Sequence, residues 1–462
     1  MRLVPQTRLL FWVAAVIVPL SLIATIEETG PLIAASGVGV IALAALFDAL
    51  RATTALQGLS VELPPVVRLA KDREGEIDVR VRNVKQNARR VRVGLALPAQ
   101  VGAEKEVEAV LLPAGSERSA LPWPCRPRER GKHLVHRAYL EAASPFGLWA
   151  VRGSVPVTCE LRVYPNLLTE RRQLAAMFLH RGSFGIHAQR QVGKGRDFEK
   201  LREYIPGDGL DEIHWKATAK RGHPVTKVFQ IERTQEIYVV IDYSRLSGRV
   251  GARAASPAPP AHEVTKSSGS VLATDTTLER FVTAALMVGL AAEQQGDLFG
   301  LVTFADRVGG FVRAKNGRTH FNACRDALYR LQPESVTPDF EEVAALIRMR
   351  LRRRALLLFL TALDDPVLAE SFVRSMDLLR RQHRIIVGML KPRGTEALFG
   401  DTPVENIDDI YERLGGHLQW NRLRELEKVL GRRGVRLQLL EREEMSAQLV
   451  SAYVNVKQRQ LL

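Results

Sequence analysis

Two aspartates lie at the ends of apolar runs, a position from which their carboxylates could bind a ligand at the edge of a sheet. Asp242 ends the apolar run 236–242, and Asp364 follows the most apolar run of the chain, 354–363. Ligands of open α/β sheets bind at the carboxyl ends of strands. Carboxylate oxygens suit a hard cation such as Mg²⁺, which takes one or two of them and keeps several waters. The sequence therefore indicates a Mg²⁺ site, with simple capping of loops or helix N-termini as the alternative.

The elements that must position these aspartates alternate between strand and helix. A capping box, Thr276 with Glu279, opens the first helix. Such alternation predicts a doubly wound α/β domain over residues 236–462, with a parallel-dominated sheet covered on both faces. The predicted strands are 236–242, 297–304, 354–363, 384–390 and 435–440, and the predicted helices are 276–295, 319–331, 337–351, 366–382, 408–430 and 444–457.

The N-terminal region, residues 1–55, predicts a transmembrane helical hairpin. Residues 9–26 and 31–47 carry no charge, and each run is close to the roughly 20 residues that a spanning helix needs. Arginines flank the two runs, while the short loop between them carries two glutamates. The positive-inside rule then predicts an inner-membrane protein with two spans and its bulk in the cytoplasm. A cleaved signal peptide is the alternative for the first run.

The middle of the chain changes character twice. Residues 56–168 contain short runs that alternate between apolar and polar side chains and are separated by Pro and Gly, which predicts an antiparallel β-sandwich-like domain. Residues 169–235 are basic and rich in glycine, which is typical of a connector. Residues 249–270, rich in Ala, Pro and Ser, predict a mobile insertion that either borders the site or is a tolerated surface loop.

Composition limits the possible functions only broadly. The chain has 462 residues and a net charge of +15, which favours an acidic partner such as nucleic acid, anionic lipid or an acidic protein face. Its three cysteines are widely separated, so they indicate neither a zinc ribbon nor a disulfide framework. The arginine-rich segment 348–354 lacks aromatic stacking residues, so we expect no nucleic-acid binding.

A short signature precedes the α/β region. Its residues are Pro206, Gly207, Asp208, Ile213, Trp215 and Ala219. The signature resembles that of the bacterial domain of unknown function 58 family, whose members share a membrane hairpin, a β-rich segment, a junction and a von Willebrand factor A-like domain. At this junction we expect Trp215 to pack inward, as an aromatic wedge between the domains, with a direct binding role as the alternative.

The resemblance to von Willebrand A domains extends to their metal-ion-dependent adhesion site. That site is written Asp-x-Ser-x-Ser, with a later Thr and a final Asp. Asp242 and Ser244 match its first two positions, but Leu246 stands at the third, so the motif is degenerate. The resemblance implies that Thr319 supplies the later hydroxyl and Asp364 the last carboxylate.

No motif of a hydrolase accompanies this site, because the chain contains neither GxSxG nor HExxH. We therefore expect no enzymatic activity. The family resemblance implies a membrane-anchored adaptor or chaperone-like assembly factor, working with a MoxR-type AAA+ ATPase on a client protein. The alternatives are a metal-dependent enzyme at the inner membrane and, as the weaker alternative, a nucleic-acid-binding protein.

Overall fold

The computed structural model describes residues 2–26, 30–180, 192–206, 209–210, 213–230, 235–249, 276–398 and 406–459. These residues form two compact units, Met1–Asn166 and Leu167–Leu462. The predicted insertion lies outside the described residues except for Arg249, and so do Gly207 and Asp208 of the signature. The chain is thus a multidomain protein with both β-sheet and α/β parts.

The first unit begins with two apolar helices. Helix α2 is long and apolar enough over Pro31–Ala52 to cross a membrane, and only 6% of its most apolar window is buried. The apolar part of α1 among the described residues, Thr7–Leu22, is shorter. One candidate span is therefore present, and the two-span hairpin stays a proposal. The elements of this region are β1 (Arg2–Pro5), α1 (Thr7–Ile26) and α2 (Gly30–Ala52).

The rest of the first unit consists of two sheets that share one core, as the alternating pattern predicts. One sheet has the order β1-β10-β9-β5-β7, with β3 parallel to β10, and the other has the order β2-β4-β8-β6. Trp123 from one sheet and Val135 from the other are both fully buried in the common core. The strands are β2 (Leu59–Glu62), β3 (Val66–Ala70), β4 (Gly75–Asn83), β5 (Arg89–Leu95), β6 (Val101–Ala103), β7 (Val107–Leu112), β8 (Arg118–Pro127), β9 (Gly131–Ala143) and β10 (Trp149–Tyr164).

The turn before β10 holds the end of α2. Asp48 on α2 is fully buried, and its carboxylate accepts hydrogen bonds from the Ser144 hydroxyl (2.5 Å) and from the amides of Phe146 (3.0 Å) and Leu148 (3.2 Å). The Trp149 indole donates to the Ala45 carbonyl at 2.9 Å. A charge is tolerated in this apolar helix because the turn supplies three donors to it.

The second unit opens with structure in the region predicted to be a connector. Helix α3 (Leu168–His180) is followed by an antiparallel pair, β11 (Val192–Glu203) and β12 (Val225–Gln230), with the short helix α4 (Trp215–Arg221) between them. The His214 ring caps α4 by accepting from the Ala217 amide at 3.0 Å. Ile213 is buried and bridges to Thr226.

The main sheet of the second unit is doubly wound, as predicted, with the order β15-β14-β13-β16-β17-β18. All neighbouring strands are parallel except β14 and β15, which are antiparallel. The sequence did not predict β15, because its adjacent Gly309 and Gly310 weaken a strand pattern. The strands are β13 (Glu236–Asp242), β14 (Leu298–Phe304), β15 (Val308–Lys315), β16 (Ala355–Leu360), β17 (Arg384–Leu390) and β18 (Arg436–Leu440).

Helices cover both faces of this sheet. One core includes residues from α5 and α10, and the other includes residues from α7, α8 and α9. Thr276 caps α5 as predicted, whereas α7 is capped by Asp339 and not by Thr337. The helices are α5 (Thr277–Gln294), α6 (Arg318–Leu328), α7 (Phe340–Arg350), α8 (Pro366–Met376), α9 (Ile407–Arg432) and α10 (Met445–Gln458).

Candidate functional site at the carboxyl edge of the sheet

Asp242 lies at the point where the chain order of the sheet switches. From β13 the chain continues to β14 on one side, and it later returns to β16 on the other. The Asp242 side chain is fully buried: Oδ1 accepts from the Ser244 amide at 2.8 Å, and Oδ2 accepts from the Thr361 hydroxyl at 2.6 Å. Burial raises the pKa of Asp242, although the hydrogen bonds from Thr361 and Ser244 oppose this shift.

The raised pKa of Asp242 predicts a specific pH dependence. Because the folded-state pKa lies above the ordinary value of 3.8, the stability that Asp242 contributes is fully present below that value and is lost as the pH rises through the raised pKa. An asparagine here is always neutral and could accept from Ser244 and donate to Thr361. We expect Asp242→Asn to remove this pH dependence and to be at least as stable as wild type at pH 7.

Protection factors from hydrogen exchange of the β13 and β16 amides, for wild type and Asp242→Asn at several pH values between 4 and 7, measure this difference within the second unit. Asp365→Asn is the matched control, because Asp365 caps α8 through the Val367 amide at 2.9 Å and its side chain is not fully buried. If Asp242→Asn is less stable than wild type by the same margin at every pH, the charge of Asp242 carries no cost in the folded state.

Asp364 lies on the loop after β16 and is paired with an arginine. Its Oδ2 lies 2.6 Å from Nη1 of Arg249, which follows β13 on the loop that leads towards α5. The other oxygen, Oδ1, is buried and has no hydrogen-bond partner in the part of the chain that the structure describes. The neighbouring Asp365 takes the capping role, so the capping alternative applies to Asp365 and not to Asp364.

The four residues expected to bind Mg²⁺ are not all brought together. Thr319 opens α6 after β15, which runs back along β14 so that Lys315 pairs with Phe299 at the opposite edge of the sheet from Asp242. Leu246 offers no ligand oxygen, and Ser247 donates its hydroxyl to the Ser244 carbonyl at 2.8 Å. No group of three or more His, Cys, Asp or Glu side chains among the described residues could hold a metal.

This arrangement does not fit a divalent cation. The Arg249 guanidinium already supplies a positive charge to Asp364, and both oxygens of Asp242 accept hydrogen bonds from the protein. Of the four carboxylate oxygens of this pair of aspartates, Oδ1 of Asp364 is the one without a hydrogen-bond partner among the described residues. As folded, the edge is therefore a buried hydrogen-bonded cluster beside an ion pair.

Two parts of this cluster were missed by sequence reasoning. Thr361 follows Leu360, which pairs with Ile241, so the register of β13 and β16 alone places its hydroxyl beside Asp242. The loop before α7 also reaches this edge, since the Glu334 amide donates to the Tyr243 carbonyl at 2.8 Å and the Arg245 amide to the Val336 carbonyl at 3.0 Å. This loop contains the hydroxyl residues Ser335 and Thr337.

Cys324 and His320 are close enough to resemble a catalytic pair, with 3.5 Å between Sγ and Nε2. The same Nε2 lies 2.8 Å from the Phe299 carbonyl oxygen, which can only accept, so this nitrogen carries the proton and cannot act as a base. Burial raises the pKa of Cys324 to about 12. The pair therefore packs the interior and is not set up as a nucleophile.

Helix α9 exposes an apolar stripe at the same edge of the sheet. With 26 residues it is about 39 Å long, whereas the seven residues of β17 span roughly 23 Å. Its C-terminal half packs on the sheet through Leu423 and Leu430 and leads into the amino end of β18, so its N-terminal half extends past the carboxyl edge. The exposed side chains of this stripe are Ile407, Ile410, Tyr411, Leu414 and Leu418.

The backbone holds the start of α9 close to the loop after β17. Gly416 is buried against the carbonyl of Gly394, and a Cβ at Gly416 would overlap that carbonyl. This close approach fixes the point at which α9, and the apolar stripe on it, extends past the edge of the sheet. The stripe recurs at intervals of three and four residues, which places its members on one face of the helix.

The signature residues expected at the junction are largely exposed. Trp215 is 68% exposed, so it does not pack into the core of the second unit, and its expected role as a wedge between the domains stays a prediction. Pro206 and Ala219 are also exposed, and among the signature residues that the structure describes only Ile213 is buried. The indole stands at the start of α4, a helix without a buried residue, which leaves it no core to enter.

Comparison with curated proteins and with solved structures does not identify the fold of this chain. No curated protein matches the sequence. A domain of human CEP192 (PapD-like domain 7) is 8% identical over 24% of this chain and 87% of its own, with a TM-score of 0.18. Proximal thread matrix protein 1 from the mussel byssus is 11% identical over 48% of this chain and 46% of its own, with a TM-score of 0.25. Scores this low support no argument about fold.

The family comparison is specific. The model described as "Protein of unknown function DUF58" matches residues 200–267 and 261–409, which include the signature, the loop with Asp242, the loop with Asp364 and the start of α9. The resemblance inferred from the signature is thereby confirmed. Over residues 200–409, this chain is similar to the DUF58 family.

Proposed function

We propose that this protein is a membrane-anchored, non-enzymatic adaptor whose α/β unit captures a partner protein through the N-terminal half of α9. The observation that carries this proposal is the apolar stripe on α9. Its members are between 44% and 72% exposed, although they include two isoleucines and a tyrosine. Large apolar side chains grouped on one exposed face mark interaction sites on soluble surfaces.

Other exposed apolar side chains of the second unit support the same proposal. Ile205, Leu210 and Trp215 are 56%, 72% and 68% exposed in the signature region. Trp is enriched at the energetic centres of protein interfaces. In this proposal the exposed side chains of the signature region contact the partner protein instead of packing in the core of the second unit.

We propose further that the second unit is a von Willebrand A-like domain with a degenerate adhesion site. The central position of β13, with Asp242 and Ser244 at its carboxyl end, supports this assignment. In such a domain the Arg249 guanidinium balances the negative charge of the Asp364 carboxylate. Mg²⁺ could bind Asp364 only if Arg249 first released it. The partner would then recognise the apolar stripe and not a bound metal.

The anchor in this proposal is a two-span hairpin formed by α1 and α2, placed in the inner membrane with both units in the cytoplasm. The apolar surface of α2 and the flanking arginines support it. The partner we propose is an AAA+ ATPase of the MoxR type, with a client protein delivered to it. Nucleic acid is not part of this proposal.

Crosslinked capture of the full-length protein from native membranes tests the adaptor. We expect an AAA+ ATPase to be recovered with wild type, and its recovery to fall at least about tenfold for the double variant Tyr411→Ser, Leu414→Ser, because buried interface anchors contribute about 2 kcal/mol or more. Both residues are exposed, so the fold should be almost unaffected.

Val429→Ser is the matched control, since Val429 is 40% exposed near the other end of the same helix. Recovery of the ATPase should be unchanged in this control. The proposal fails if wild type recovers no such ATPase, or if the double variant recovers as much of it as wild type does.

A further inference from the structure

Three arginines converge on a small cavity at the amino edge of the sheet, opposite Asp242. Arg384 and Arg436 are the first residues of β17 and β18, and Arg459 follows the last turn of α10. The cavity has a volume of about 140 Å³, and its remaining lining residues are Ile386, Asn455 and Val456. None of these six residues is acidic.

The six residues that line this cavity supply no negative charge to it; Arg436 and Arg459 are exposed to solvent, Arg384 is half-buried, and Glu427 and Glu444 line only the adjoining larger cavity. Within the described part of the chain, none of the three arginine side chains forms an ion pair or a hydrogen bond. The Nε atom of Arg384 is buried and has no hydrogen-bond partner among the described residues. A buried donor without an acceptor costs free energy, and the two exposed arginines add a positive charge that water and salt partly screen.

The geometry of the strands explains why the charges meet. Ile386 of β17 pairs with Arg436 of β18, and Arg384 lies two residues before Ile386, so both arginines project from the same face of the sheet. Ile386 and Leu440 from this face pack in the core that contains α10. The end of α10 therefore closes the cavity and adds Arg459 and Asn455 to it.

We propose that this cavity binds a phosphate group. Guanidinium groups present planar pairs of N–H donors that match phosphate oxygens, and such charge-assisted bonds are stronger than neutral ones. The Asn455 amide would add a neutral donor. A phosphate dianion would balance two of the three positive charges and supply the acceptor that Arg384 lacks.

A second, larger cavity of about 1100 Å³ shares Arg384, Arg436 and Asn455 with the first and extends along β18. It contains Gln438, whose Oε1 is buried and has no hydrogen-bond partner among the residues that the structure describes. A phosphorylated small molecule could therefore place its phosphate in the small cavity and its organic part in the large one. Inorganic phosphate would use only the first.

The competing explanation is that the arginines only compensate the negative end of the α10 dipole. That role requires cations near the last turn but no ligand. It predicts that the three arginines contribute to the stability of α10 in any buffer, without a response to phosphate.

Isothermal titration of the full-length protein with inorganic phosphate, at constant ionic strength, tests the proposal. We expect saturable binding, competed by sulfate and not by chloride. Arg436→Gln and Arg459→Gln should each weaken the affinity at least about tenfold, because hydrogen bonds to charged groups contribute about 1.5–3 kcal/mol in general. Arg350→Gln is the control, since Arg350 is an exposed arginine in the last turn of α7.

A parallel titration with glucose 6-phosphate identifies the source of the phosphate group. Tighter binding than inorganic phosphate means that the large cavity holds an organic part, and equal or weaker binding means that inorganic phosphate is the ligand. The proposal is overturned if phosphate shows no saturable binding, or if both variants bind it as wild type does. Neither result bears on the adaptor proposal, whose surface is at the opposite edge of the sheet.

Discussion

Replacement of Asp297 by alanine is expected to destabilise the α/β unit by about 3–5 kcal/mol, the cost typical of removing one partner from a buried ion pair. Asp297 is 1% exposed and precedes β14. Its Oδ2 accepts from Lys457 Nζ at 2.8 Å and from the Tyr453 hydroxyl at 2.5 Å, and its Oδ1 accepts from the Gln235 amide at 3.1 Å. Alanine would leave all three donors without this acceptor.

The Asp297 network ties four elements to the amino edge of the sheet. Gln235 precedes β13, Tyr453 and Lys457 belong to α10, and Lys457 also donates to the Gln295 carbonyl at the end of α5 (3.0 Å). Burial, and then the charge of Asp297, raise the pKa of Tyr453, so the hydroxyl stays protonated and remains a donor. Removal of the carboxylate therefore breaks the bonds from Gln235, Tyr453 and Lys457 at once, and the bond from Lys457 to the Gln295 carbonyl is the part of the network that remains.

Hydrogen exchange of the β13 and β14 amides measures the destabilisation in this unit alone, which a global unfolding scan of a multidomain chain does not. Tyr453→Phe is the matched control, because it removes one donor and should cost about 1 kcal/mol. An Asp297→Ala variant whose β13 and β14 amides exchange as slowly as those of wild type would contradict the assignment of Asp297 as the centre of the network.

Replacement of Asp48 by alanine is expected to destabilise the contact between α2 and the β-sandwich by about 3 kcal/mol, since hydrogen bonds to charged groups contribute about 1.5–3 kcal/mol each and are partly replaced by water. Three donors lose their acceptor: the Ser144 hydroxyl and the amides of Phe146 and Leu148. The Trp149 indole bonded to Ala45, the contact between the Phe47 and Phe146 rings and the packing of Ala52 in the core of the sandwich would remain.

Hydrogen exchange of the Phe146 and Leu148 amides in membrane-reconstituted protein measures the effect of Asp48→Ala. Asp78→Ala is the control, because the carboxylate of Asp78 pairs with Arg80 on an exposed strand surface and such pairs contribute little. If these two amides exchange no faster in Asp48→Ala than in wild type, then other contacts hold the turn against α2.

The order of strands and helices in the α/β unit could be predicted largely from the sequence. Buried parallel strands are continuous apolar runs, and the helices between them carry local start signals. Residues 384–390 were predicted as a strand with the bounds that β17 has, and Thr276 caps α5 as expected. The strand β15 was missed because half-exposed edge strands with adjacent glycines lack both signals. That omission also misplaced Thr319, since β15 reverses the chain.

The sequence by itself showed the similarity to the DUF58 family, through a signature that is local, and placed Asp242 and Asp364 at strand ends, through hydrophobic patterning. Only the tertiary structure decided what these residues contact. Arg249 and Asp364 are 115 positions apart, and Thr361 meets Asp242 through the register of two strands. The exposure of Trp215, the stripe on α9 and the convergence of three arginines likewise depend on which faces the packing covers, and no local pattern contains that information.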